Sequence, residues 1–253
     1  MAGEKRMTDN KLKKEIIFFA IMTSVYFALS NLGTMLSNAI NIPKSIDALA
    51  GMIFLIAVLV YLKKKNLLSY YGINRLTKLD YKNLLFCLPM IIVALNNLRC
   101  GIHINYPWHQ ILLHFLMMLG VGFSEEILFR GFLMKAIMNK STTAAIIISS
   151  ISFGMIHIFN LFYGRDIIHT LIQVVYATAL GLMFAMFFYK TNNIIPCIIC
   201  HVVINSTSVF LPKDLSEVQQ HVGWIMLTIP PILYAYYLYK TKKPLVKKDC
   251  AGS

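Results

Sequence analysis

The sequence predicts an all-α, multi-pass membrane protein with about eight transmembrane helices. Three observations carry this expectation. First, 57% of the 253 residues are hydrophobic and 14% are charged, with a mean hydropathy of +0.64. Soluble domains run nearer ~45–50% apolar and ~25% charged. Second, apolar runs approaching the ~20 residues that a spanning helix needs recur from end to end. The chain therefore reads as one integral membrane domain over 1–253. Third, the basic residues fall between these runs in a pattern that keeps to one side.

Spans are expected at 15–38, 46–62, 83–98, 109–138, 143–160, 167–189, 193–211 and 222–239. The first apolar run starts at Ile16 and has no small-residue cleavage site, so it reads as a retained anchor rather than a cleaved signal. The second and third windows are short. The fourth is long, since roughly 30 residues of helix measure about 45 Å. It is expected to tilt, protrude or break near Gly120 and Gly122. The last four windows are set off by polar or Pro-containing loops. No internal repeat, low-complexity tract or soluble insertion interrupts them.

The formal net charge is +13. Lys5, Arg6, Lys11, Lys13 and Lys14 precede the first span. Lys63, Lys64, Lys65, Arg75, Lys78 and Lys82 lie between the second and third. Lys135 and Lys140 follow the fourth, Lys190 ends the sixth, and Lys240, Lys242, Lys243, Lys247 and Lys248 follow the eighth. With the N-terminus inside, all fall on the cytoplasmic side, as the positive-inside rule requires. Both termini are then expected in the cytoplasm of a cell membrane. The loops at 101–108, 160–166 and 212–221 are poorer in Lys and Arg. No aromatic-basic surface or soluble module supports nucleic-acid binding, so lipid and a membrane-proximal substrate are the expected partners. Oligomeric state is not legible. Five cysteines (87, 100, 197, 200 and 250), mostly inside apolar segments, do not form a disulfide framework.

Against this background, three polar clusters stand out. In "SEEILFRGF", Glu125, Glu126 and Arg130 lie within a span, where a central charge costs at least ~2.5–3.5 kcal/mol. Glu126 and Arg130 are four apart, share a helical face and can pair. Glu125 points about 100° away, without an obvious partner. In "FGMIH", Phe153 and His157 share a face, and in "CHVVIN", His201 and Asn205 do. A buried ion pair accounts for Glu126 and Arg130, packing for a lone histidine, and interhelical bonding for His and Asn. Counted from the basic side, however, all three clusters reach similar depths on separate helices, which independent structural groups have no need to do.

Together these residues suit amide hydrolysis. A carboxylate in low-dielectric surroundings is a fit general base for water, with Glu125 the candidate. His157 can share that water or shuttle its proton, and His201 and Asn205 can donate to a developing oxyanion. Glu125, His157 and His201 are also zinc-type donors, so a divalent metal stays open, although no H-E-x-x-H is present. No G-x-S-x-G marks a covalent nucleophile.

Glu125-Glu126-x-x-x-Arg130, Phe153-x-x-x-His157 and His201-x-x-x-Asn205, in this order, resemble the three motifs of the CAAX protease and bacteriocin-processing (Abi) family. These intramembrane proteases are related to the type II CAAX prenyl endopeptidases. The likeness covers about 109–211. It implies an eight-helix fold around a polar cavity open to the cytoplasm. It also implies Glu125 as the water-activating residue with His157 as its partner, and His201 and Asn205 as the oxyanion pair. Glu126, Arg130 and Phe153 are supporting residues. The family includes proteins of prenyl-type CAAX processing, peptide-signal or bacteriocin maturation, bacteriocin self-immunity and scaffolding. The expected function is therefore intramembrane endopeptidase. A non-catalytic immunity or scaffold protein is the first alternative and a transporter the second, which the missing repeat disfavours.

Other features read as decoys. "CIICH" at 197–201 matches a haem-attachment pattern but lies at the cytoplasmic start of an apolar helix. The terminal "CAGS" is a poor prenylation box. His103, His109, His114 and His221 read as interfacial or packing residues, and His169 as the one nearest the cavity.

Overall fold

The computed structural model describes residues 9–74 and 85–241. Lys5, Arg6, Arg75, Lys78, Lys82, positions 83 and 84, and the basic tail with Cys250 lie outside the described residues. The described residues fold into helices, with no strand among them.

Among the described residues, helical segments lie at the expected windows, the third of them only as short pieces. They are α1 (Asp9–Ala39), α2 (Ser45–Lys64), α3 (Leu88–Ala94), α4 (Trp108–Met138), α5 (Thr142–Tyr163), α6 (Ile167–Thr191), α7 (Ile195–Phe210) and α8 (Glu217–Lys240). Among the described residues, all but α3 and α7 are long and apolar enough to cross a membrane, which is the architecture of a membrane protein. Isoleucines and leucines such as Ile21, Leu32, Ile53 and Ile56 are exposed along α1 and α2, as a lipid-facing surface requires. The best-buried helices are α4 and α6.

The expected third span is broken up. Leu85–Cys87 and Asn96–Cys100 are 3-10 turns on either side of the seven-residue α3, which has a proline in its first turn. Asn96 and Asn97 explain the break. Their side chains turn away to the carbonyls of Gly223 (3.5 Å) and Ile204 (2.6 Å), and such side-chain bonding competes with helix continuation.

α4 does not break at Gly120 or Gly122. A Cβ on Gly120 would lie 2.9 Å from the carbonyl carbon of Gly51, so this glycine permits a close crossing with α2, the small-residue packing typical of membrane helices. The irregularity comes later. Ile127–Met134 winds as a π-helix, a rare geometry that concentrates at functional sites. It begins directly after Glu126 and contains Arg130.

Side-chain contacts define the two ends of the bundle. At the basic end, Lys135 Nζ donates to Asn192 Oδ1 (2.5 Å), Lys190 Nζ donates to the Thr241 carbonyl (2.5 Å), and Lys140 pairs with Asp9. At the other end, Lys44 Nζ meets His114 Nδ1 at 3.1 Å and the His103 amide donates to the Phe210 carbonyl at 3.0 Å. Lys11, Lys13, Lys14, Lys63, Lys64, Lys65 and Lys240 belong to the first end. Lys44, Arg99, Arg165 and Lys213 belong to the second, where Asp47, Asp166, Asp214 and Glu217 balance them.

Candidate active site

The sharp bend in polarity along α4 places three charges in the core. Glu126 and Arg130 are fully buried, and Glu125 is 7% exposed. Arg130 Nη1 donates to Glu126 Oε1 at 3.1 Å, and Nη2 donates to the Gly181 carbonyl at 3.1 Å. Gly181 admits this contact because a Cβ there would sit 3.2 Å from the guanidinium and 3.1 Å from the Ser150 carbonyl oxygen. The guanidinium carbon also stacks 4.2 Å from the Phe153 ring centroid and 5.4 Å from that of Phe184. Such a desolvated cation–π contact adds up to about 2 kcal/mol. The Phe153 ring therefore covers the buried cation.

His201 ties α7 to α4. Its Nδ1 donates to Glu126 Oε1 at 3.1 Å, and its Nε2 lies 3.9 Å from Glu125 Oε2. Glu126 thus accepts from both Arg130 and His201. The second distance is too long for a direct hydrogen bond and fits a bridging water. Glu125 Oε2 has no hydrogen-bond partner of its own, while the Tyr26 hydroxyl of α1 interacts with the Glu125 carboxyl.

His157 is half-buried on the 3-10 turn that ends α5. Its Nδ1 lies 3.3 Å from Gln173 Nε2 on α6, which identifies Nδ1 as the acceptor of the amide proton. Its ring packs on Phe153 at 5.9 Å between centroids, and His201 packs on the same phenyl ring at 5.5 Å. Phe153 therefore stands between the two histidines. No hydrogen bond or ion pair joins Glu125 to His157; the closest links of Glu125 are to Tyr26 and His201.

Asn205 is fixed through its backbone. Its carbonyl accepts from His114 Nε2 at 3.1 Å and from Ser208 Oγ at 2.6 Å. Because the carbonyl can only accept, Nε2 of His114 carries the proton and Nδ1 receives the Lys44 ammonium. Beyond packing, then, His114 holds the α7 turn that presents Asn205.

A cavity of about 490 Å³ has Phe153, His157, Phe184, His201 and Asn205 on its floor, a size typical of ligand sites. Arg99, Arg165, His169, Gln220 and Trp224 line its outer part. These last residues lie at the end of the bundle opposite the lysine-rich end. The outer part of the cavity and the lysine-rich helix ends therefore lie at opposite ends of the bundle. Glu125 does not line this cavity and sits behind His201.

A family model, the Rce1-like type II CAAX prenyl endopeptidases, matches residues 107–207. Over this segment the chain is similar to that family. The Rce1-like segment runs from the start of α4 to the last turn of α7 and contains all three motifs. No curated protein and no solved structure matches the chain.

Within the Rce1-like segment, the sequence-predicted residues divide into two groups. Glu125, Glu126, Arg130, Phe153 and His201 are brought into one connected cluster. His157 and Asn205 face the cavity beside it. Among the described residues, no group of three His, Cys, Asp or Glu side chains is arranged to hold a metal ion, so Glu125, His157 and His201 are not assembled as a donor set. Cys197 and Cys200 are buried free thiols directed at the carbonyls of Phe184 and Met90, which is a packing role. Tyr26, Gln173 and His114 are the participants that motif reading missed. Gln173, a polar residue in the middle of an apolar helix, was the one visible signal.

Proposed function

We propose that this Rce1-like protein is an intramembrane endopeptidase that hydrolyses a peptide bond with water activated by Glu125. The observation that carries this reading is the unpartnered Glu125 Oε2 facing His201 Nε2 across 3.9 Å. Glu126 is engaged through Oε1 by both Arg130 and His201, although its Oε2 also has no hydrogen-bond partner; what sets Glu125 apart is that neither of them is hydrogen-bonded to it. A water in this gap accepts from one side and donates to the other. In the reaction, the water oxygen attacks the carbonyl carbon and Glu125 takes its proton. The C–N bond then breaks as that proton passes to the amide nitrogen, leaving a carboxylic acid and an amine. His157, on the cavity side, serves the proton's path to the leaving nitrogen. His201 and Asn205 donate to the oxyanion. His201 donates through Nε2 only when both ring nitrogens carry protons, because Nδ1 already donates to Glu126.

The shorter segments α3 and α7 complete the bundle to eight. By the positive-inside rule, the lysine-rich end and both termini lie in the cytoplasm of the cell membrane. The peptide cavity then opens on the other face, and the substrate is a peptide or juxtamembrane segment presented there. The reading is tested by incubating purified protein in lipid nanodiscs with a peptide library in H₂¹⁸O and sequencing new termini by mass spectrometry. New C-termini that carry ¹⁸O and vanish in His157→Ala support it. Products that persist undiminished in both His157→Ala and Glu125→Gln overturn it.

A further inference from the structure

A second cavity, of about 220 Å³, lies between α1, α2 and α4. It shares no lining residue with the peptide cavity. One wall is a hydroxyl stripe on α1, where Tyr26, Ser30 and Thr34 recur every fourth residue and so share one helical face. The stripe covers about 12 Å of helix. At its outer end, Thr34 Oγ1 donates to Asp47 Oδ1 at 2.6 Å. At its inner end, the Tyr26 hydroxyl meets Glu125. The opposite wall includes Met117 and Val121, and Glu125 is the next residue on this face of α4, one turn further in. The volume has room for several waters, since each needs roughly 10–15 Å³. The stripe supplies the polar partners that such waters require.

We infer that this cavity is a hydrated inlet through which Glu125 receives water and exchanges protons, separate from the cavity that takes the peptide. Each turnover consumes one water, and a bound peptide would fill the space in front of His201. Glu125 lies behind His201, in contact with Tyr26 at the inner end of the stripe. Tyr26, Ser30, Thr34 and Asp47 are positioning residues in this scheme; they order the waters and do not touch the substrate. The inference rests on Glu125 being the base.

The test has two independent readouts on the full chain in lipid nanodiscs. Hydroxyl-radical footprinting reports water directly. Met117 should oxidise several-fold faster than the core Met183 and the membrane-facing Met155, and Ala50→Phe, which fills the cavity, should remove that difference. Kinetically, Ala50→Phe and Ser30→Ala/Thr34→Val should each lower kcat by roughly ten-fold with KM unchanged, within the range of lost proton-transfer assistance. Thr34→Ser should keep wild-type kcat. Equal oxidation of Met117, Met155 and Met183, or wild-type kcat in both cavity variants, overturns the inlet. If Glu125→Gln is inactive while the cavity variants are normal, only the inlet falls. If Glu125→Gln cleaves normally, the proposed function falls, and footprinting still decides whether the cavity is wet.

Discussion

His201 stands between two adjacent glutamates and treats them differently: its Nδ1 bonds to Glu126 Oε1 at 3.1 Å, while its Nε2 faces Glu125 Oε2 at 3.9 Å. Glu126 is held through Oε1 by Arg130 and His201, whereas Glu125 has the longer approach to His201 and the Tyr26 contact; the Oε2 of each has no hydrogen-bond partner. On the proposed reading, this difference separates a structural residue from a chemical one in a pair the sequence prints side by side.

The first prediction follows from that difference. Glu126→Ala leaves the Arg130 guanidinium buried without its anion and releases His201. Removing one partner of a buried pair costs about 3–5 kcal/mol. Thermal unfolding in detergent should show a large loss for Glu126→Ala and a small change for Glu125→Gln, whose Oε2 has no bond to lose.

Gln173 positions His157, and Gln173→Ala should free the ring. The expected outcome is a roughly ten-fold fall in kcat with little change in KM, as for weakened proton-transfer assistance. Steady-state cleavage kinetics check it, with Gln173→Asn as the conservative comparison.

Packing alone governs Gly120. A Cβ there meets the Gly51 backbone at 2.9 Å, so Gly120→Ala must push α2 from α4. Overpacking of this kind costs about 1–3 kcal/mol. The melting temperature should fall, with the contacts of Glu126, Arg130 and His201 untouched.

Asp166 caps α6, accepting from the His169 amide at 2.9 Å and from its Nδ1 at 2.8 Å. These bonds hold its carboxyl below the usual carboxylate range. A depressed acid contributes stability above its unfolded pKa and loses it as pH falls through the folded value. The cap should therefore persist from pH 7 down past pH ~4 and fail below that. Hydrogen exchange at the first α6 amides should accelerate only in that acid window, and at every pH in Asp166→Ala.

Much of this was legible in the sequence because it is local. Apolar runs located the six long helices and their order, and four-residue spacing gave the Glu126–Arg130 pair. The reading failed where distant chain segments meet. The Glu126–His201 bond spans 75 residues, and Tyr26 reaches Glu125 from another helix. The π-helix was hidden because "ILFRGFLM" is as apolar as an α-helix in the same place. The broken third segment was hidden because the carbonyls that capture Asn96 and Asn97 belong to α7 and α8.

The central claim is that Glu125, rather than Glu126, activates the water. The direct test is single-turnover cleavage of one identified peptide by wild type and Glu125→Gln, matched for folded protein. The account predicts a loss of at least about 10²-fold in the cleavage rate, with peptide binding and thermal stability retained. Cleavage by Glu125→Gln within about two- to three-fold of wild type would contradict it.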